Sequence, residues 1–151
     1  MYELKDSIGY KFNLVATTLK TNFTKLLQPS LGIAAEQFGT LKIISDDSEI
    51  TQTRIAELLG KDKTTVGRSI ESLIKKGMLN KKYESCDKRV NKISLTPKGE
   101  EILQKALPIA QKFNENIKKH LSQEEINIFF KITDIILQET KEINTEKEEN
   151  I

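Results

Sequence analysis

Two short helical segments joined by a tight turn constrain the fold of this chain more than any other feature. Thr51 is a good N-cap for the first segment, and Gly60 is placed to end it. Asp62 caps the second segment, which Gly77 stops. Each segment has apolar residues on one face: Ile55, Ala56, Leu58 and Leu59 in the first, and Val66, Ile70, Leu73 and Ile74 in the second. The pattern predicts a helix-turn-helix with Gly60 and Lys61 as its turn.

After the second segment the pattern changes from helical to extended. Residues 79–84 and 90–95 are predicted to form two short strands, because apolar and polar residues alternate along the second of them. The polar residues 85–89 lie between the strands and form the tip of a hairpin. Thr96 and Pro97 then begin another helix, since threonine is a favourable cap and proline suits the first helical position. A helix-turn-helix followed by such a hairpin is a winged helix-turn-helix.

Further helices flank this unit. An apolar stripe at spacings of three and four residues predicts a first helix that ends before Pro29. The stripe consists of Ile8, Phe12, Val15, Leu19, Phe23 and Leu26. A second helix is predicted over residues 34–44, followed by a loop at residues 45–48. The helix that begins at Pro97 is expected to kink or break near Leu107, because Pro108 follows.

A sixth helix is predicted near the end of the chain. Residues 122–125 have the sequence of a capping box. The inward positions that follow are Ile126, Phe129, Ile132, Thr133, Ile136 and Leu137. The stripes on the first and sixth helices are long for a chain whose middle already forms a compact unit, which predicts a homodimer built from those helices. The fold class is therefore mainly α with a small β-hairpin wing (α+β).

Positive charge is concentrated in the middle of the chain. Residues 61–98 contain 11 Lys and Arg against 4 Asp and Glu, a net charge of +7. The whole chain carries +2, so the remainder carries −5. A basic middle between acidic flanks indicates a face directed at a polyanion such as double-stranded DNA, although a solvated lysine-rich surface has the same composition.

Several classes of site are disfavoured by the composition. One cysteine and one histidine argue against a disulfide framework and against a dedicated metal site. There is no serine elbow and no phosphate loop, so we expect neither an enzyme nor a cofactor. The chain has no long apolar run and no apolar signal core, so we expect a cytoplasmic protein that does not contact a membrane.

Candidate DNA contacts lie on the second helix of the motif and on the wing. With Val66 as the inward direction, a rotation of about 100° per residue turns the polar side chains of that helix outward. The hairpin carries further lysines and an arginine, and Asp87 is close enough to Arg89 to hold its guanidinium in place. The predicted DNA-binding residues are Lys63, Thr64, Thr65, Arg68, Ser72, Lys82, Asp87, Lys88, Arg89 and Lys92.

Several motifs of this chain, and the number of residues between them, resemble those of MarR-type regulators. The shared segments are Thr51 to Gly60, Thr65 to Leu79, Asp87 to Arg89, and Leu95 to Gly99. The resemblance implies a homodimeric winged-helix repressor on a pseudo-palindromic operator, with residues 1–30 and 97–145 as the helical dimerisation region. Residues 31–96 would form the DNA-binding domain. Independently of the resemblance, the polar composition at the end of the chain predicts a disordered tail at residues 146–151.

The resemblance also assigns roles to single residues. It implies that Arg89 enters the minor groove with Asp87 as its support. Gly67 departs from the serine that is common in the family at this position. A glycine inside a helix costs about 1 kcal/mol, and it removes one candidate DNA contact.

Many regulators of this type release DNA when a small anionic aromatic compound binds, and this chain has candidate residues for such a site. Lys11, Thr18 and Asn22 flank the apolar stripe of the first helix, and Phe38 is placed to line the opposite wall. The alternative is an ordinary boundary between helices.

Two further alternatives stay open from the sequence. Cys86 lies at the predicted wing tip near Lys88 and Arg89, which favour its thiolate, so the chain has a candidate for redox-responsive DNA binding. An incidental exposed thiol is the favoured explanation of Cys86. The other alternative is a winged-helix interaction module that has lost DNA binding, against which Thr64, Thr65 and Arg68 argue.

Overall fold

The computed structural model describes residues 3–83 and 91–148 of the 151-residue chain. Over these residues it has a 3-10 turn (Leu4–Asp6), six α-helices and two strands. In chain order they are α1 (Ile8–Leu31), α2 (Ala35–Asp46), α3 (Gln52–Leu59), α4 (Lys63–Lys75), β1 (Leu79–Tyr83), β2 (Asn91–Leu95), α5 (Pro97–Lys118) and α6 (Gln123–Glu148). The predicted fold class, mainly α with a small β-hairpin, is confirmed.

The chain divides into two compact units, Met1–Ala110 and Gln111–Ile151, with the boundary inside α5. The first unit holds a core to which α1 to α5 and both strands contribute. Its largest fully buried apolar side chains are Leu27, Ile33, Leu41, Ile55, Val66, Ile70, Leu73, Leu79, Ile93 and Leu103. Of the described helices, none is both long and apolar enough to cross a membrane.

Side-chain caps begin α3, α4, α5 and α6 as the sequence predicts, with Thr96 as the cap of α5. The Thr51 hydroxyl accepts a hydrogen bond from the Arg54 backbone N–H (3.2 Å) at the start of α3. At the start of α6, Ser122 and Glu125 form a reciprocal capping box. At the start of α4, the Asp62 carboxylate accepts a hydrogen bond from the Thr65 backbone N–H. Each cap satisfies a backbone donor that the first helical turn leaves without an internal acceptor.

The predicted end of α1 before Pro29 is wrong. α1 continues through Pro29 to Leu31, and its C-cap Gly32 has a φ of 66°, in the left-handed region. A kink or break is predicted near Leu107, and α5 runs through Pro108 without a break. A proline removes one backbone hydrogen bond, and here the neighbouring turns continue the helix on both sides.

The boundary after α2 also differs from the prediction. α2 extends to Asp46, so the predicted loop at residues 45–48 is shorter than expected. α6 is helical to Glu148, and the rest of the predicted tail at residues 146–151 lies outside the described residues. The strands span five residues each, and the predicted strand ends Glu84 and Val90 also lie outside the described residues. Helix ends without a strong cap or stop residue are poorly specified by local sequence.

The hairpin pairs its strands in antiparallel register, with Lys82 opposite Lys92 and Lys81 opposite Ile93. Leu79 and Ile93 are buried, so their face of the sheet packs on the core. Because side chains alternate along a strand, Lys82 and Lys92 share the opposite face.

Contacts between three neighbouring segments hold the base of the hairpin. The Thr96 hydroxyl donates to the Gly77 carbonyl (2.6 Å) and accepts from the Gly99 backbone N–H (3.0 Å). Gly99 lies so close to the preceding turn that a Cβ there would be 2.0 Å from the Met78 carbonyl oxygen. Only glycine fits this approach, since the atom in the way belongs to the backbone.

We predict that Gly99→Ala destabilises the protein by about 1–3 kcal/mol, the usual cost of overpacking a tight site. Gly9→Ala is the matched control, because a Cβ at Gly9 would meet only the Ser7 Oγ at 3.8 Å. It should be neutral or slightly stabilising. Urea unfolding of both variants measures the difference, and equal midpoints would contradict the close approach at Gly99.

Candidate nucleic-acid interface

The orientation of α4 defines the candidate interface. Val66, Ile70 and Leu73 are completely buried on its inner side, as the helical period predicts. Lys63, Thr64, Arg68, Glu71 and Lys75 are exposed. The helix therefore presents an outer face that carries hydrogen-bond donors and positive charge along most of its length.

The start of α4 uses one of its two threonines for its own capping. The Thr65 hydroxyl donates to Asp62 Oδ2 (2.6 Å), and the Thr65 backbone N–H donates to Asp62 Oδ1 (2.9 Å). The hydroxyl and the N–H of Thr65 hold the pKa of Asp62 below its ordinary value. Thr65 is half-buried, whereas Thr64 is exposed and joins Lys63 and Arg68 on the outer face.

The structure places Ser72 apart from these residues. Ser72 is half-buried against α2, where its hydroxyl accepts from Gln37 Nε2 (3.1 Å). Gln37 Oε1 accepts in turn from Lys76 Nζ (2.9 Å), which also donates to the Gly32 carbonyl (2.7 Å). The network of Gln37, Ser72, Lys76 and Gly32, which we call the Gln37 network, ties the C-terminal end of α4 to α2 and to the cap of α1.

Two wing lysines pair with acidic residues of neighbouring elements. Lys81 Nζ lies 3.6 Å from the Glu71 carboxylate on α4, and Lys92 Nζ pairs with Glu49 before α3. Lys82 is exposed. The first contact links β1 to α4, and the second links β2 to the segment before α3. The predicted residues Cys86, Asp87, Lys88 and Arg89 lie outside the described residues.

Gln52, the first residue of α3, is not among the residues predicted from the sequence. Its Nε2 donates to the Lys63 carbonyl (3.1 Å), and a Cβ on Gly67 would lie 2.9 Å from this nitrogen. The Gln52 amide therefore occupies the space that any other residue at position 67 would fill. The available signal was Gly67 itself, because an isolated glycine in a helix usually marks a close packing contact.

The four residues predicted to bind an effector lie on α1 and α2. Lys11, Thr18 and Asn22 are exposed on α1, and Phe38 packs edge-to-face on Phe23 with ring centroids 5.3 Å apart. A cleft of about 210 Å³ has other walls, formed by Ile44, Ser45, Ser48, Ser94, Leu95 and Glu100. The effector site stays a prediction. Within residues 3–83 and 91–148, no group of three acidic, histidine or cysteine residues is arranged to hold a metal ion.

Comparison with known proteins agrees with this architecture. Residues 37–80 match the family model described as winged helix-turn-helix DNA-binding. This segment spans α2, α3, α4 and the start of β1, so it contains the outer face of α4. Fold and matched segment together define a DNA-binding transcriptional regulator of the winged helix-turn-helix class.

Individual relatives narrow the class. Transcriptional regulator HosA of Escherichia coli O157:H7 is 28% identical over 96 residues, which cover 64% of this chain and 71% of that protein. A MarR/EmrR family transcriptional regulator from Acinetobacter sp. ADP1 superposes with a TM-score of 0.86 at 20% identity, over 93% of this chain and 99% of that one. The M. tuberculosis transcriptional regulator MosR, in complex with DNA, superposes with a TM-score of 0.74 at 25% identity. The superposition covers 86% of this chain and 93% of that one. The chain is a winged helix-turn-helix protein with the fold of MarR-type regulators, which confirms the resemblance seen in its motifs.

Proposed function

We propose that this chain is a transcriptional repressor that binds a pseudo-palindromic operator in double-stranded DNA as a homodimer. The observation that carries the proposal is the orientation of α4, which buries Val66, Ile70 and Leu73 and exposes Thr64 and Arg68. The second helix of such a motif enters the major groove, and its N-terminal half reaches the base edges.

The exposed side chains suit this reading of DNA. Arginine pairs bidentately with guanine O6 and N7, and threonine donates to bases or phosphates and contacts the thymine methyl group. Arg68 and Thr64 would supply these contacts. The acidic Glu71 lies on the same helix, but the Lys81 ammonium 3.6 Å away offsets its charge and reduces its repulsion of phosphate.

Exposed apolar stripes support the homodimer. In the first unit, α1 exposes Ile8, Val15, Leu19 and Leu26 at spacings of seven and four residues. In the second unit, α6 exposes Ile128, Ile132 and Ile135 along one face. Burying one such side chain stabilises an association by about 1.5–3 kcal/mol, and a second copy offers matching stripes. A dimer bound across a promoter would exclude the polymerase, so repression is the simplest outcome.

Selection of bound DNA from a random pool tests the proposal. We expect a pseudo-palindrome whose half-sites are roughly 10 bp apart, because a two-fold dimer presents its two α4 helices about one turn of B-DNA apart. Recovery of a single unpaired half-site would contradict the dimer. Recovery of no preferred sequence would contradict specific DNA binding.

The role of Arg68 can be separated from its charge. We predict that Arg68→Ala weakens binding to the selected operator by about 1–3 kcal/mol and relaxes the preference at one position per half-site. Lys105→Ala removes a positive charge from α5 and is the matched control. Titration of both variants on operator and random DNA decides between the roles. An equal loss on both DNAs would make Arg68 a phosphate contact only.

The wing contributes a further prediction that rests on the family resemblance. We expect Arg89→Ala to lose most specific binding while it stays folded and dimeric. Asp87→Ala should also bind more weakly, although it removes a negative charge, because Asp87 would hold Arg89 in place. A merely solvated Asp87 predicts the opposite sign, tighter binding at low salt. Titrations at two salt concentrations distinguish these outcomes.

A further inference from the structure

Gln52 reaches from α3 onto α4 at the one position of α4 that lacks a side chain. Its Nε2 donates to the Lys63 carbonyl at 3.1 Å. The same nitrogen is 2.9 Å from the site of a Cβ on Gly67. The amide of Gln52 thus lies on the surface of α4 where another residue at position 67 would begin its own side chain.

Position 67 lies at the edge of the outer face of α4 and is half-buried. In a helix, residues three and four positions apart are neighbours on one side, so Lys63, Thr64, Ile70 and Glu71 surround Gly67. Ile70 is buried, and the other three are exposed. The Gln52 amide therefore lies beside the face of α4 that we propose to enter the major groove, although it comes from another helix.

The hydrogen-bonding capacity of this amide is only partly used. A glutamine amide has two N–H donors and a carbonyl acceptor. One donor is used by the Lys63 carbonyl. One N–H and Oε1 stay available, because no donor within residues 3–83 and 91–148 hydrogen-bonds to Oε1. In the major groove, adenine presents the acceptor N7 beside the donor N6–H₂. A glutamine amide can pair with both, since its N–H donates to N7 and its Oε1 accepts from N6–H₂.

We propose that Gln52 is a specificity-determining residue that reads an adenine in each half-site, and that Gly67 is required because it makes room for the amide. The proposal rests on the proposed DNA-binding function. The bond to Lys63 orients the amide before DNA binds, so less rotamer freedom is lost on binding. Contact by Gln52 would take the place of the serine contact that Gly67 removes from α4.

DNA selection followed by titration with the full-length protein tests this role. The wild type should prefer A·T at one position per half-site, and replacing that pair should weaken its binding roughly 5- to 150-fold. Gln52→Ala should lose this discrimination and keep the other positions. Gly67→Ala should lose the same discrimination, because its Cβ displaces the amide. Alanine favours the helix, so this variant should unfold at the same temperature as the wild type or higher.

The double variant and a control sharpen the test. Gln52→Ala combined with Gly67→Ala should lose no more discrimination than either change alone, since both remove one contact. Gln123→Ala removes a glutamine from the same first position of α6 and should select the wild-type site. If the Gln52 and Gly67 variants select the wild-type site with unchanged discrimination, the base-reading role is overturned. If the wild type selects no sequence, the proposed function is overturned as well.

Discussion

Burial of one side of α4 is the constraint on which the rest of this structure depends. Val66, Ile70 and Leu73 are completely enclosed by the core, so the helix cannot rotate without exposing apolar surface. Each side chain exposed in this way would cost about 1.5–3 kcal/mol. Packing on the buried side of the helix therefore sets the direction of Arg68 and Thr64. The alternation of apolar and polar residues along α4 thus determines both the core contacts and the candidate interface.

Polar contacts then fix α4 along its length and set the wing beside it. At its C-terminal end the Gln37 network connects the helix to α2 and to the cap of α1. Beyond the helix, the left-handed Gly77 turns the chain into β1, and Gly99 lets α5 approach the same turn. Pairing of Lys81 with Glu71 links the wing back to α4. The end of α1 and the helix proposed to read DNA are therefore joined by hydrogen bonds to the same side chains.

Sequence predicts the features that depend on neighbouring residues. The caps at Thr51 and Asp62 and the stop at Gly60 are recognisable because each acts within one helical turn. Prediction failed at Pro29 because whether a helix survives the loss of one hydrogen bond depends on tertiary packing. The position of Gln52 was also missed, since its partners Lys63 and Gly67 lie on another helix. The periodicity of apolar residues shows which face of a helix is buried. It does not show which residues of another helix a long polar side chain contacts.

The central claim is that the outer face of α4 reads base edges in the major groove, and methylation interference tests it most directly. Methylation of guanine N7 alters the major groove alone, and N7 is an atom that an arginine such as Arg68 would contact. On the selected operator we expect methylation to block binding at guanines in two clusters, one per half-site and roughly 10 bp apart. Binding that is unaffected by N7 methylation anywhere in the operator would contradict the account.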